Sequence, residues 1–268
     1  MMLDEAVQTL RAARFVRKLR IPFMYRRLSA YLASMSADSP LKGVPVRVVG
    51  DAWGDPTELF SHYDAFGYWV AARLARTNKR RRVLDIGSPK KQNAILSAFH
   101  DVSALVLADC GDQFSAVHYL IHDVTLPLPF SAGSFDCFTS AVTLNLVGLG
   151  RYGDRIDANG IPNLISELDR VMSDDGELLI SVPSGPSQLA FNNHWCFDIH
   201  LIQRLFKGWR LESVVVDGWS SPSISQSGRD PARRFVGLDE LPAMRQGDYR
   251  VVFCAFVREA SREQGRNS

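Results

Sequence analysis

From Arg82 onward the chain alternates short apolar runs with segments of helical periodicity. Arg82–Ile86 (RVLDI), Ala104–Ala108 (ALVLA), residues 117–121 (VHYLI) and Phe135–Val142 (FDCFTSAV) are bounded by turn-forming or polar residues. Such short runs predict buried strands rather than helices. A fifth strand is expected to end at Val182 after a turn at Asp175-Gly176, and Leu211–Val216 and Arg250–Val257 give two more. Helices are predicted over 56–78, 92–99, 162–172 and 198–206. The third has an apolar stripe of Leu164, Ile165, Leu168, Val171 and Met172, with Pro162 suited to its first turn. Alternating strands and helices predict an α/β fold with a doubly wound, mostly parallel Rossmann-like sheet and right-handed crossovers. Residues 218–247 are rich in Ser, Gly, Pro and Arg and are expected to be an irregular insertion.

The first 42 residues differ in character. Arg11, Arg14, Arg17, Lys18, Arg20, Arg26 and Arg27 cluster, and no acid occurs between Glu5 and Asp38. Pro22 divides the segment into two expected helices. Met24, Leu28, Tyr31, Leu32 and Met35 form an apolar stripe on the second. Two readings follow: a helix packed on its own domain with its cations in water, or residues 11–35 lying on an anionic membrane surface. Residues 43–54 read as a linker or a short strand. The expected organisation is a basic helical extension at 1–42, a main domain at 43–260 and a disordered tail at 261–268.

Composition narrows the picture. With 268 residues and 46% hydrophobic content, the chain suits one α/β domain with appendages. A net charge of +2 lacks the basic excess of a nucleic-acid binder, so no nucleic-acid partner is expected. Cys110, Cys137, Cys196 and Cys254 are scattered, without metal-ligand spacing, and read as reduced thiols. His62, Asp154, Asp157 and His194 also lack such spacing, so no metal is expected. Neither a membrane span nor a signal peptide is recognisable, which predicts a cytoplasmic protein, with peripheral contact at the inner membrane if the basic segment binds lipid.

In open α/β sheets ligands bind beyond the carboxyl ends of the strands, where strand order reverses. Asp85, Gly87 and Ser88 close the first strand, Asp109 follows the second and Asp123 the third. Glycine permits a sharp turn and close approach of a ligand. A carboxylate at the second strand can accept from ribose hydroxyls, and one at the third can meet an adenine amine.

VLDIG, LAD, HDVTLPLPFSAGSFD and ELDRVMSDDGELLISVP together resemble the class I S-adenosylmethionine-dependent methyltransferases, from about Val83 to Val182. The resemblance implies S-adenosylmethionine as cofactor, contacted by Gly87, Asp109 and Asp123. Within that superfamily, GLGRYGD (Gly148–Asp154), FNNHWCF (Phe191–Phe197) and His62-Tyr63 resemble a bacterial methyltransferase-like family associated with surface-polysaccharide and glycan assembly. It implies O-methylation of a sugar or glycan acceptor. The chain departs from that family at Pro89-Lys90, at Asn145-Leu146 in place of Glu-His, and at Asn193 and Trp195. Asp154 and His194 are the candidate proton acceptors, in loops expected on the ligand side. Arg151 and Tyr152 suit an anionic or sugar-like acceptor, and Asn192 and His62 complete the expected substrate wall. The alternative is a catalytically degenerate binding or scaffold protein in glycan assembly. A nicotinamide-dependent fold is disfavoured, because GSPKKQ stands where G-x-G-x-x-G is needed.

Overall fold

A computed structural model describes residues 25–48, 61–109, 111, 116–217, 235–237, 243–245 and 247–258. The first element is helical, α1 (25–33). The strands are β1 (Val46–Val48), β2 (Arg82–Ile86), β3 (Asp101–Val106), β4 (His118–Ile121), β5 (Phe135–Ala141), β6 (Met172–Ser184), β7 (Gln188–Phe191), β8 (His194–Cys196), β9 (Trp209–Asp217), β10 (Phe235–Gly237) and β11 (Arg250–Arg258). The remaining α-helices are α2 (His62–Leu74), α3 (Lys90–Ser97), α4 (Gly160–Val171) and α5 (Ile199–Leu205). The main sheet has eight strands in the order β10-β9-β11-β6-β5-β2-β3-β4. Neighbouring strands from β4 to β6 pair parallel, whereas β11 is antiparallel to both β6 and β9. The chain winds outward from β2 to β4 and returns to place β5 on the other side of β2, so order reverses between β2 and β5.

Successive strand residues face opposite sides, so each central strand feeds two cores. Leu84, Phe138, Leu178 and Ile180 pack with Leu164, Ile165 and Leu168 of α4 and with Leu201 and Ile202 of α5. Val83, Cys137 and Leu179 pack on the other face with Phe66, Val70 and Leu74 of α2 and Leu96 of α3. This two-sided burial explains why the strands read as near-continuous apolar runs. Charges gather at the amino ends of the strands. Asp136 accepts from Arg82 Nη2 at 2.6 Å, and Glu177 accepts from Arg73 Nε at 2.7 Å.

Several expectations are corrected. Residues 25–42 are not a separate extension, because Leu28, Tyr31 and Leu41 belong to the main core and Met35 packs against it. The phenol oxygen of fully buried Tyr31 accepts from Trp195 Nε1 at 2.9 Å. Leu28, Tyr31 and Met35 of the expected stripe therefore pack on their own domain, whereas Leu32 is exposed and Met24 lies outside the described residues. The basic cluster from Arg11 to Arg20, residues 49–60 and the tail at 261–268 lie outside the described residues. The insertion at 218–247 is not wholly irregular, since β10 pairs antiparallel with β9. No interruption at Asp175-Gly176 ends β6; instead its register on β5 shifts, with Met172 opposite Phe135 and Glu177 opposite Cys137. A second sheet, β1-β7-β8, was not anticipated beyond a short strand near residue 46.

Candidate functional site

A cavity of about 310 Å³ opens at the carboxyl ends of β2, β3 and β5 and beside the turn after β4, at the reversal of strand order. Its wall includes Gly87, Leu105, His122, Asp123, Thr143 and Tyr152. This size and this mixture of apolar walls with a few polar groups suit a small-molecule site.

The first turn is built from buried polar contacts. Asp85 is almost wholly buried. Its carboxylate accepts from the Ser88 amide at 3.1 Å, Asn93 Nδ2 at 2.9 Å and the Thr139 hydroxyl at 2.6 Å. Burial pushes its pKa up, against those hydrogen bonds. Asp85 thus ties β2 to β5 and shapes the turn, without lining the cavity. Gly87 does line it, with φ of 75°. A Cβ there would be strained and would run into the Thr143 hydroxyl. That hydroxyl donates to the carbonyls of Gly87 and Ala141, both at 3.2 Å. Val142, also in the wall, has φ of 51°, a costly conformation for a β-branched residue. Its amide is anchored on Ser181 O and Oγ.

Asp123 is in the wall, and Asp109 is not. Asp123 accepts from the Thr125 amide and hydroxyl, both at 2.9 Å, and from the Arg155 amide at 3.0 Å. Burial works against the charge, but those amides outweigh it and hold the carboxyl below its ordinary pKa. Asp109 is exposed, and its carboxylate accepts from the Gly111 amide at 2.9 Å. It caps its own turn beyond the end of β3, which stops at Val106 rather than Ala108.

The GLGRYGD segment folds around Asp154. Its carboxylate accepts from the amides of Gly148 at 3.2 Å, Gly150 at 3.1 Å and Tyr152 at 3.2 Å. Gly148 and Gly150 have φ of 78° and 64°, shapes that favour glycine. Asp154 reaches the cavity wall, but as the clamp of this loop. Tyr152 is exposed at the rim, and the Arg151 guanidinium lies 5.5 Å from its ring centroid. Nη1 of Arg151 is buried without a hydrogen-bond partner.

His194 sits in β8, away from the cavity wall, and is buried. Its Nδ1 lies 2.7 Å from Asn193 Nδ2, and its ring meets Tyr249 edge-on at 4.8 Å. Burial, followed by the charges of Arg151 and Arg47, pushes its pKa down to about 4. It is therefore neutral near neutral pH and a weak base. Asn192 is half-buried in the turn between β7 and β8. His62 opens α2, its ring tilted against that of Tyr63 with centroids 4.2 Å apart. A capping box, in which the Ser61 amide donates to Asp64 at 3.1 Å, fixes that first turn. Asp154 and His194 do not converge on one point of the cavity, because only Asp154 lines it. Among the described residues no group of His, Cys, Asp and Glu gathers to hold a metal.

The sequence reading missed Tyr63 as a wall residue, as well as His122, Val142 and Thr143. Position alone points to the last three, since they immediately follow β4 and β5. His122 Nε2 is a buried polar atom without a partner in that wall. Asn145 is wholly buried with both amide atoms unpartnered, while Leu146 beside it faces the cavity.

The fold and the placement of the cavity define a class I methyltransferase fold. A structure of Burkholderia thailandensis 1,6-didemethyltoxoflavin-N1-methyltransferase with bound 1,6-didemethyltoxoflavin and S-adenosylhomocysteine is similar, with a TM-score of 0.53 at 13% identity, covering 80% of this chain and 94% of that one. A possible histamine N-methyltransferase from Thermotoga maritima matches with a TM-score of 0.49 at 16% identity, over 75% of this chain and 90% of that one. In sequence, residues 108–224 match the family described as Caenorhabditis protein of unknown function, DUF268. No curated protein matches the chain. Among the described residues no helix is long and apolar enough to cross a membrane.

Proposed function

We propose that this protein is an S-adenosylmethionine-dependent methyltransferase whose acceptor is a sugar or glycan hydroxyl in surface-polysaccharide assembly. The observation that carries the reading is the cavity at the reversal between β2 and β5, with Gly87 at its first turn and Asp123 in its wall. The residues present fit the cofactor. Gly87 keeps the turn low, Asp123 and the unpartnered His122 Nε2 offer polar contacts, and Leu105, Leu107 and Val124 offer apolar ones. Bound S-adenosylmethionine would supply a methyl group activated on a sulfonium. The similar Burkholderia structure holds S-adenosylhomocysteine, the product of such a transfer. Rate in this chemistry comes mainly from positioning and a suitable electrostatic environment. Tyr63 and Tyr152 at the wall would orient the acceptor, and the glycan assignment rests on the GLGRYGD and FNNHWCF resemblance.

One observation favours a second reading, a methyltransferase-like protein that binds without turnover. Asp154 is engaged by three amides, and His194 is a weak base outside the cavity wall. Calorimetric titration with S-adenosylhomocysteine, followed by mass spectrometry of sugar acceptors incubated with labelled S-adenosylmethionine, separates the two. Binding with methyl transfer supports the enzyme. Binding without transfer to any acceptor selects the second reading, and absence of binding overturns both.

A further inference from the structure

Strand pairing pins the residue that closes the cavity beside β4. β4 runs parallel to β3, with Val106 opposite Ile121. One residue further on, the His122 amide donates to the Val106 carbonyl at 2.9 Å. The backbone of His122 is thus tied to the sheet, and the residue lines the cavity. A side chain carried at a strand end is held more precisely than one on a free loop. Nε2 of this imidazole is buried and has no hydrogen-bond partner among the described residues. A buried polar atom left in that state is costly, and a group entering the cavity can satisfy it.

Asp123, the next residue, lines the same cavity. An ionised carboxylate offers about four lone pairs. Oδ1 accepts from both the Thr125 amide and its hydroxyl, whereas Oδ2 accepts only from the Arg155 amide. One acceptor position therefore remains on Oδ2. Two consecutive residues offer the cavity an open acceptor and an unpartnered imidazole nitrogen. Leu105, Leu107 and Val124 stand around them, apolar neighbours suited to a flat ring. The acid expected to hold a ribose is not in this group, because Asp109 is exposed and caps its own turn outside the wall.

We propose that His122 reads the adenine of the cofactor, its Nε2–H donating to a ring nitrogen next to the amine that Asp123 accepts. The presence of that cofactor rests on the methyltransferase reading above. The edge of an adenine sets a donor, the exocyclic amine, beside a ring-nitrogen acceptor. Oδ2 of Asp123 and Nε2 of His122 present the complementary pair. The ring nitrogen is N7 on one side of the amine and N1 on the other. The pairing also fixes the neutral tautomer, with the proton on Nε2 rather than Nδ1. Recognition of the nucleoside then falls on the turn after β4 and not on the acid after β3.

The test uses the full chain and three probes: S-adenosylhomocysteine and its 1-deaza and 7-deaza analogues, each of which lacks one of the two ring nitrogens beside the amine. Calorimetry should show the wild type binding one analogue about ten-fold or more weakly than S-adenosylhomocysteine, the scale of a buried donor left unpaired. Which analogue is weakened identifies N1 or N7 as the acceptor. His122→Phe keeps a ring but removes both nitrogens. It should weaken S-adenosylhomocysteine by a similar factor and no longer distinguish it from that analogue, because the two changes remove one hydrogen bond. His122→Gln carries an amide N–H near the place of Nε2 and should recover part of the affinity. NMR of the His122 imidazole nitrogens should show the Nε2–H tautomer in the complex. Thermal unfolding reports whether each variant folds; if His122→Phe does not, the analogues on the wild type decide alone. The assignment is overturned if a folded His122→Phe binds S-adenosylhomocysteine like the wild type, or if the wild type binds both analogues as tightly as S-adenosylhomocysteine. Failure of the wild type to bind S-adenosylhomocysteine at all is a different result, which refutes the cofactor reading and the role of His122 with it.

Discussion

Asp154→Ala separates a structural from a chemical role at the most literal motif of the chain. In the folded protein the carboxylate accepts from three amides, two of them on the buried residues Gly148 and Gly150. Removing it leaves those two donors without their partner, at about 1–3 kcal/mol each. The amide of exposed Tyr152 can turn to water and adds little. The expected loss is therefore about 2–4 kcal/mol, below the simple sum because the loop can relax. With a urea m-value of about 2 kcal/mol/M, the unfolding midpoint should fall by about 1–2 M at unchanged slope. Asp154→Asn retains one acceptor oxygen and should recover part of the loss. Urea unfolding of all three proteins, with methyl transfer measured in native buffer, decides the matter. If Asp154→Ala unfolds within about 0.5 kcal/mol of wild type but abolishes transfer, the clamp assignment is wrong and the carboxylate acts in the chemistry.

Three further outcomes are expected. Tyr31→Phe removes the oxygen that accepts from buried Trp195 Nε1, so calorimetry should show a loss of about 1–3 kcal/mol; an unchanged melting temperature would mean that this bond does not anchor α1. Gly87→Ala imposes about 1–2 kcal/mol of left-handed strain and pushes on Thr143, and should weaken S-adenosylhomocysteine more than ten-fold by titration; equal affinity would remove Gly87 from the site. Arg82 holds the Asp136 carboxyl below its ordinary pKa, so its contribution to stability is present above the unfolded value of 3.8 and is lost as pH falls through the folded one. Asp136→Asn should flatten the acid limb of a stability–pH curve, and an unaltered limb would place that dependence elsewhere.

Much of the sheet was legible because its central strands are covered on both faces. RVLDI and FDCFTSA keep apolar residues in consecutive positions, a pattern that survives without knowledge of partners. The second sheet was hidden for the opposite reason. QLAF and HWC are only four and three residues long, too short for any period to declare itself. Asp123 was found from its place after a strand, which predicts position well. Position does not predict where a carboxylate spends its hydrogen bonds. Asp85, Asp109 and Asp154 look alike as acids near strand ends, yet they tie two strands together, cap a surface turn and clamp a loop. The partner of β1 carried no sequence signal, because Arg47 lies opposite Ala190 only through a pairing of strands far apart in the chain.

That pairing also bears on the order of folding. The parallel strands β2, β3 and β4 join through short connections, whereas β1 must find β7 across most of the domain. The Tyr31–Trp195 bond spans 164 residues of chain. Closing so long a loop costs entropy before any contact rewards it, although the cost grows only slowly with length. Contacts of this kind slow folding and are expected to consolidate after more local ones. The strands that border the cavity can therefore assemble first, with the small sheet β1-β7-β8 docking onto them last. Hydrogen exchange during refolding should show protection at Leu84 and Phe138 before protection at Leu189 and Ala190.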